Sequence, residues 1–282
     1  MARFPLGFST LGCPKWNWRK VLDEAARLGY AGIELRGLEG DMNLPARPEF
    51  APSQVGSAKR DLRALNLVIT DLGASARLHD RDPKAVEAQF DDARRFIDLA
   101  HELGAPWVRV FPNEFLPDES HEVTIRRIGR HLAALGEFAR GSGAGVLVES
   151  HGDLTSSADL AMMMEEAGTS PTVGLVWDTH HTVSAGKEAP ADTWARIGKW
   201  VRHTHIKDSI PDGKDVKYVL LGEGTIGVRD IVRALAGGGY RGFYGFEWEK
   251  VWHPDIAEPE VSFPQYVQTM SAWLAEAGVQ PA

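Results

Sequence analysis

Glu149, Asp178, His205 and Glu247 stand at or next to the ends of short strand-like runs: Gly145-Val146-Leu147-Val148-Glu149, Val173-Gly174-Leu175-Val176-Trp177-Asp178, Val201-Arg202-His203-Thr204-His205-Ile206 and Phe243-Tyr244-Gly245-Phe246-Glu247. Runs of roughly four to eight apolar and β-branched residues, bounded by turn signals, read as buried strands. Each of these strands therefore carries, at or next to its end, a group able to bind a cation or move a proton. Three carboxylates and one imidazole form an oxygen-rich donor set with a single nitrogen. That set suits a hard or borderline divalent ion, Mn²⁺ or Mg²⁺ first, with Co²⁺ and Zn²⁺ also open. Singly, each residue has an ordinary structural reading: a strand-ending Asp caps the next helix, and a strand-ending Glu pairs with an Arg. Four in succession on consecutive strands favour one shared metal site. Glu249 has the parity of Glu247, so a shift of one pleat would move the last ligand there.

Further candidates flank these positions. His151 follows Glu149 by two residues and shares its face if the strand continues; an imidazole there could act as general base near neutral pH. His181, three past Asp178, could hydrogen-bond a substrate hydroxyl, whereas His180 reads as a cap or packing residue. His203 lies one step deeper than His205 and reads as a core or supporting histidine. Lys207 could hold a substrate carboxylate or hydroxyl, with a surface ion pair beside Asp208 as the alternative. Arg109, inside Trp107-Val108-Arg109-Val110-Phe111, needs partners if buried; Glu34 or a strand-end carboxylate could supply them behind the site, and Arg109 counts among the candidate substrate-binding residues. Trp248 and Trp252 could stack on the apolar face of a sugar ring or pack against the last helix.

The elements that must position these residues recur along the chain. Phe4–Thr10, Tyr30–Leu35, Leu67–Leu72 and Trp107–Phe111 supply four more strands, separated by helical stretches near 16–28, 52–65 and 83–103. Helices at about 121–140, 157–166, 192–199, 228–236 and 264–277 complete an alternation of strand and helix. Gly29-Tyr30-Ala31-Gly32-Ile33-Glu34 and Gly239-Tyr240-Arg241-Gly242-Phe243 suggest one helix-to-strand turn used twice. With no G-x-G-x-x-G after a strand, a (β/α)₈ TIM barrel is preferred to an open doubly wound sheet. No Ser/Gly-rich linker divides the chain, so residues 1–282 are expected to form a single barrel domain with the site at the carboxyl ends of its strands.

Composition narrows the partners. Thirty-one basic and 39 acidic residues give a formal charge of -8, which argues against sequence-independent binding to nucleic acid. No run is long and apolar enough to span a bilayer, and Met1-Ala2-Arg3-Phe4 leads into strand-like sequence without an apolar leader. The expectation is a cytoplasmic protein with no membrane partner. One cysteine, Cys13, excludes an internal disulfide and reads as a small buried thiol. The Trp-rich composition leaves room for a homo-oligomer.

The combination of Phe8-Ser9-Thr10-Leu11-Gly12, Gly32-Ile33-Glu34-Leu35-Arg36, Val148-Glu149-Ser150-His151, Trp177-Asp178-Thr179-His180-His181, His203-Thr204-His205-Ile206-Lys207-Asp208 and Phe246-Glu247 resembles the xylose isomerase-like TIM-barrel superfamily. That resemblance spans most of the chain. It implies a sugar isomerase or epimerase in which Glu149, Asp178, His205 and Glu247 hold one divalent ion, commonly manganese. By the same resemblance, Glu149 and Glu247 shuttle a proton beside a carbonyl through a metal-stabilised enediolate, and His181 contacts a small-molecule sugar or polyol. Glu149-Ser150-His151 departs toward the dehydratase branch, which implies an alternative: a lyase acting on a keto-polyol or keto-glycoside with His151 as base. The apurinic endonuclease branch fits poorly, since only His79 hints at its additional metal ligands and the net charge is wrong for DNA. A non-catalytic carbohydrate-binding barrel would leave both carboxylates without a task.

Overall fold

Strand β1 (Leu6–Ser9) is buried along its whole length, as are β2 (Gly32–Leu35), β5 (Gly145–Glu149) and β6 (Val173–Asp178). Burial on both faces explains why these strands read as continuous apolar runs and not as alternating ones. The computed structural model describes residues 3–281; Met1-Ala2, read above as part of the lead into the first strand, and Ala282 lie outside the described residues. Among the described residues, eight parallel strands close into a barrel in the order β1-β10-β7-β6-β5-β4-β3-β2, with helices between them. The remaining members are β3 (Val68–Arg77), β4 (Trp107–Phe111), β7 (Val201–Ile206) and β10 (Tyr244–Phe246). This is the expected (β/α)₈ architecture. No helix among the described residues is long and apolar enough to cross a membrane.

The chain divides into two compact units, Met1–Thr70 with His203–Ala282, and Asp71–Arg202. In the first, α1 (Trp18–Leu28) starts where the Asn17 side chain accepts from the Lys20 amide, and it stops at Gly29, whose φ of 88° only glycine adopts without strain. Helices α2 (Val55–Ala64), α8 (Val228–Gly237) and α9 (Pro259–Glu276) belong to the same unit. Its core is aromatic: Phe8 meets Tyr30 at a centroid distance of 4.8 Å, and Phe246 stacks on Tyr266 at 4.3 Å.

In the second unit, α3 (Pro83–Leu103) begins with Pro83 after the Asp82 cap and ends at Gly104 with φ 77°. Helices α4 (His121–Phe138) and α5 (Ser157–Ala167) pack at Gly129, where a Cβ would lie 2.5 Å from the Met163 carbonyl oxygen. The short α6 (Thr179–Ser184) and α7 (Pro190–Ile197) follow β6.

Three local readings change. The connection after β7 is an antiparallel hairpin of β8 (Asp208–Asp212) and β9 (Asp215–Val219), paired from Asp208 opposite Val219 to Asp212 opposite Asp215. Helix α9 starts at Pro259 and accommodates Pro264 internally, whereas the sequence placed its start near 264. Strand β3 runs five residues beyond Leu72, through a register shift between Gly73 and Arg77.

Candidate metal centre

In the Asp71–Arg202 unit, β5 delivers Glu149 in a fully enclosed position. Arg109 lies on the neighbouring strand, two residues deeper: it stands opposite Leu147 in the β4–β5 register. Its Nε is 3.3 Å from Glu149 Oε2, and each side chain is only 1% exposed. The same guanidinium donates from Nη1 to the Ala74 carbonyl at 3.0 Å and lies 4.0 Å from the Phe111 ring centroid. A buried cation is thus compensated by a strand-end carboxylate, one of the two partners the sequence allowed.

Asp178 ends β6 and caps α6. Its Oδ1 accepts from the His180 and His181 amides at 2.9 and 3.2 Å, while Oδ2 lies 3.3 Å from His181 Nε2. The capping reading holds for Oδ1, while Oδ2 faces the His181 ring. Ser150 ties the two strand ends together: its Oγ accepts from the Asp178 amide at 2.9 Å and donates to the Asp178 carbonyl at 3.2 Å. His180 is buried beside Ser184, with Nδ1 3.3 Å from its Oγ. Strand β5 stops at Glu149, so His151 sits in the following turn. Even so, its ring meets His181 edge-on at 5.2 Å and lies 4.7 Å from Phe111. Gly152 permits that turn: its φ is 63°, and a Cβ would fall 2.1 Å from the Asn113 carbonyl oxygen.

In the other unit, His205 and Glu247 come together directly, with His205 Nδ1 3.2 Å from Glu247 Oε1. Lys207, 1% exposed, donates to Glu247 Oε2 and, at 2.7 Å, to Glu249 Oε1. The lysine thus binds both carboxylates between which the sequence left the last ligand open. Burial raises the Glu247 pKa, but the charges and hydrogen bonds of His205 and Lys207 outweigh it and hold the carboxyl well below its usual range. Glu34, one residue before the end of β2, plays a part that sequence spacing did not reveal: its Oε2 is 2.7 Å from His205 Nε2 and 3.5 Å from His203 Nε2. Burial again raises its pKa, and the His205 charge and the two histidine hydrogen bonds bring it below the ordinary value. The signal available was the β2 sequence, a buried strand with an acid one residue before its end.

Other candidates have packing tasks. Trp248 is 1% exposed, stacks on Phe246 and donates its indole N–H to the Ala257 carbonyl at 2.8 Å. That is the packing reading, and it corrects the expectation of a ring free to stack on sugar. Trp252 is 57% exposed. Asp208 does not pair with Lys207 but organises the loop after the hairpin, accepting from the Gly222, Gly224, Ile226 and Ser209 amides. His79 faces Glu114, 3.6 Å from Nε2 to Oε1. Cys13 is buried, and burial pushes its thiol pKa well up, as befits an inert core thiol.

Residues 22–276 match the model of a family described as xylose isomerase-like TIM barrel. The rhizopine catabolism protein MocC of Rhizobium meliloti is 25% identical, with 92% of this chain and 82% of that protein covered. The fructoselysine 3-epimerase of Shigella flexneri is 22% identical over 96% of this chain and 98% of its own. A crystal structure of the IolI protein with a zinc atom superimposes with a TM-score of 0.77 at 18% identity, covering 98% of each chain. The strand order, the acids at the strand ends and the match along nearly the whole length lead to one assignment: the chain belongs to the xylose isomerase-like TIM barrel family.

Proposed function

We propose that this chain is a divalent-metal-dependent isomerase or epimerase of a keto sugar or related polyol, working as one domain. The observation that carries the reading is the pair of buried carboxylates, Glu149 and Glu247, each clamped by its own buried cation, Arg109 and Lys207. Glu149 is the last residue of β5 and Glu247 the first after β10, at the carboxyl ends of the strands, where active sites of this fold are built. An acid–base pair needs carboxyl groups held within reach of the proton they move and fixed in direction. The two cations hold one oxygen of each.

Glu149, Asp178, His205 and Glu247 would hold the cation. They stand at or next to the carboxyl ends of β5, β6, β7 and β10, consecutive in the strand order, and their three carboxylates and one imidazole fit Mn²⁺ or Mg²⁺, with Zn²⁺ also accommodated. When bound, such an ion polarises a carbonyl and the hydroxyl beside it and so acidifies the C–H between them. One carboxylate of the pair would remove that proton and become a carboxylic acid, while the other, in its protonated form, would deliver its own proton to the opposite face for epimerisation; delivery to the neighbouring carbon gives isomerisation. His181, about one-fifth exposed and braced by Asp178, donates to a substrate hydroxyl. The likeness to a fructoselysine 3-epimerase along nearly both whole chains agrees with this chemistry.

The position of His151 favours a second reading. Its edge-on contact with His181 places a second imidazole beside the proposed substrate contact, as a lyase using His151 for proton removal requires. One experiment separates them: incubation with Mn²⁺ and a panel of keto sugars and keto-polyols in D₂O, read by mass and NMR. Epimerase or isomerase action deposits deuterium beside the carbonyl without loss of water, and both Glu149→Gln and Glu247→Gln abolish the exchange. Loss of water or an aglycone, abolished by His151→Ala, would establish the lyase. Exchange that survives exhaustive chelation would overturn the metal-dependent reading.

A further inference from the structure

The cluster of Ser9, Glu34, His203 and His205 lies behind the proposed ligand set, and none of its members except His205 has a role in the reaction as described. Its geometry leaves two physical options: a second cation site, or a device acting on His205. Donor atoms of Glu34, His203 and His205 lie within 4.8 Å of one another, which makes the first option worth testing against distances. Two atoms bound to one ion at about 2.0–2.2 Å, at right angles or wider, are separated by about 3 Å or more. Glu34 Oε2 and His205 Nε2 are 2.7 Å apart. That is the length of a charge-assisted hydrogen bond, not of two ligands around an ion.

We propose that Glu34 is a positioning residue for His205: its carboxylate accepts a hydrogen bond from Nε2–H and so assigns Nδ1 as the nitrogen offered to the divalent cation. The inference rests on the metal-site reading above. The direction of the ring agrees, since Nδ1 faces Glu247 Oε1 at 3.2 Å. A carboxylate cannot donate while ionised, so the proton in this bond belongs to Nε2. Glu34 is itself held from behind: Ser9 Oγ donates to its Oε1 at 2.9 Å, and Ser9 stands opposite Glu34 in the β1–β2 register.

The pocket leaves little room for another arrangement. His203 Nε2 lies 3.5 Å from the same Glu34 oxygen, and its ring meets His205 edge-on at 5.7 Å. His203 fits there because residue 245 is glycine. A Cβ at Gly245 would lie 2.8 Å from His203 Nε2 and 2.5 Å from the Thr204 carbonyl oxygen. Ser9, Glu34, His203 and Gly245 thus form one support, in which a carboxylate fixes the tautomer and direction of the ligand imidazole. Partners of this kind typically influence metal affinity by about 10- to 100-fold.

The test is calorimetric titration of the metal-free protein with Zn²⁺ alone, together with ¹⁵N NMR of histidine-labelled, Zn²⁺-loaded protein. Glu34→Ala is expected to weaken Zn²⁺ binding about 10- to 100-fold. Glu34→Gln, whose amide oxygen still accepts from Nε2–H, recovers much of the loss, and Ser9→Ala gives a smaller decrease. In the loaded wild type, His205 should show a protonated Nε2 and a coordinated Nδ1. Should Glu34→Ala fail to fold, Glu34→Gln, Ser9→Ala and the wild-type spectrum still decide the matter. Coordination through Nε2 would overturn the inference, as would unchanged affinity in Glu34→Ala where His205→Ala binds weakly. Unchanged affinity in His205→Ala itself would overturn the metal-site reading, and the inference with it.

Discussion

The guanidinium of Arg109 and the carboxylate of Glu149 meet at 3.3 Å, with both side chains withdrawn from solvent. Removing one member of such a pair strands the charge of the other, at a cost of about 3–5 kcal/mol. Arg109→Met is expected to lose that much stability in denaturant titration. Combining it with Glu149→Gln should restore a large part, because the double change leaves no buried unpaired charge. Strictly additive losses would mean the pair is not coupled.

Lys207 separates two roles that the sequence left open. Holding Glu247 and Glu249 through its ammonium, it should influence turnover and not substrate affinity. Lys207→Met is expected to reduce kcat by roughly 10²-fold, the size of effect produced by a misplacement of about 1 Å, with KM little changed. Lys207→Arg should recover part of the loss. A rise in KM alone, at constant kcat, would return Lys207 to the role of substrate contact.

Acid should destabilise the protein for a reason that can be traced to individual carboxylates. Hydrogen bonds from Arg127 and Thr124 lower Glu119 to about 2, and His205 with its neighbours lowers Glu34 and Glu247. A carboxyl depressed in the folded state contributes stability that is fully present above its unfolded pKa, about 4.3, and is lost as pH falls toward its folded value. The metal-free protein is therefore expected to lose stability from about pH 4.5 downward. In Glu119→Gln, the fall between about pH 4.5 and 2 should be shallower. Parallel acid limbs for wild type and variant would contradict the assignment.

Asp208 fixes the loop beyond the β8–β9 hairpin by accepting from four amides, and Gly224 makes that possible. A Cβ at 224 would lie 2.0 Å from Asp208 Oδ1 and 2.6 Å from the Ser209 carbonyl oxygen. Gly224→Ala is expected to destabilise by about 1–3 kcal/mol, as overpacking does. Proteolysis within 209–226 should accelerate more than at other sites. An unchanged melting temperature would show that the loop yields without penalty.

Strands buried on both faces were the legible part, because Val146–Val148 and Val173–Trp177 are apolar without interruption and the change to an acid marks their ends. The hairpin was hidden, since Asp208–Asp212 and Asp215–Val219 are short, polar strands around Gly213-Lys214. Pro264 misled the reading of the last helix: proline favours a first turn, but here Pro259 takes that place. The roles of Glu34 and Lys207 depend on partners 171 and 40 residues away, a relation no local pattern encodes. Trp248 shows the reverse problem, a residue type suited to sugar stacking whose ring the fold spends on Phe246.

The central claim is that one divalent ion is shared by Glu149, Asp178, His205 and Glu247. Anomalous scattering at the manganese edge, from crystals soaked in Mn²⁺ with a keto sugar, tests it most directly. The expected result is a single peak bounded by those four side chains, with His205 contributing Nδ1 and the sugar carbonyl oxygen adjoining the peak. A peak centred among Glu34, His203 and His205, or none beside Glu149 and Asp178 at saturating Mn²⁺, would contradict it.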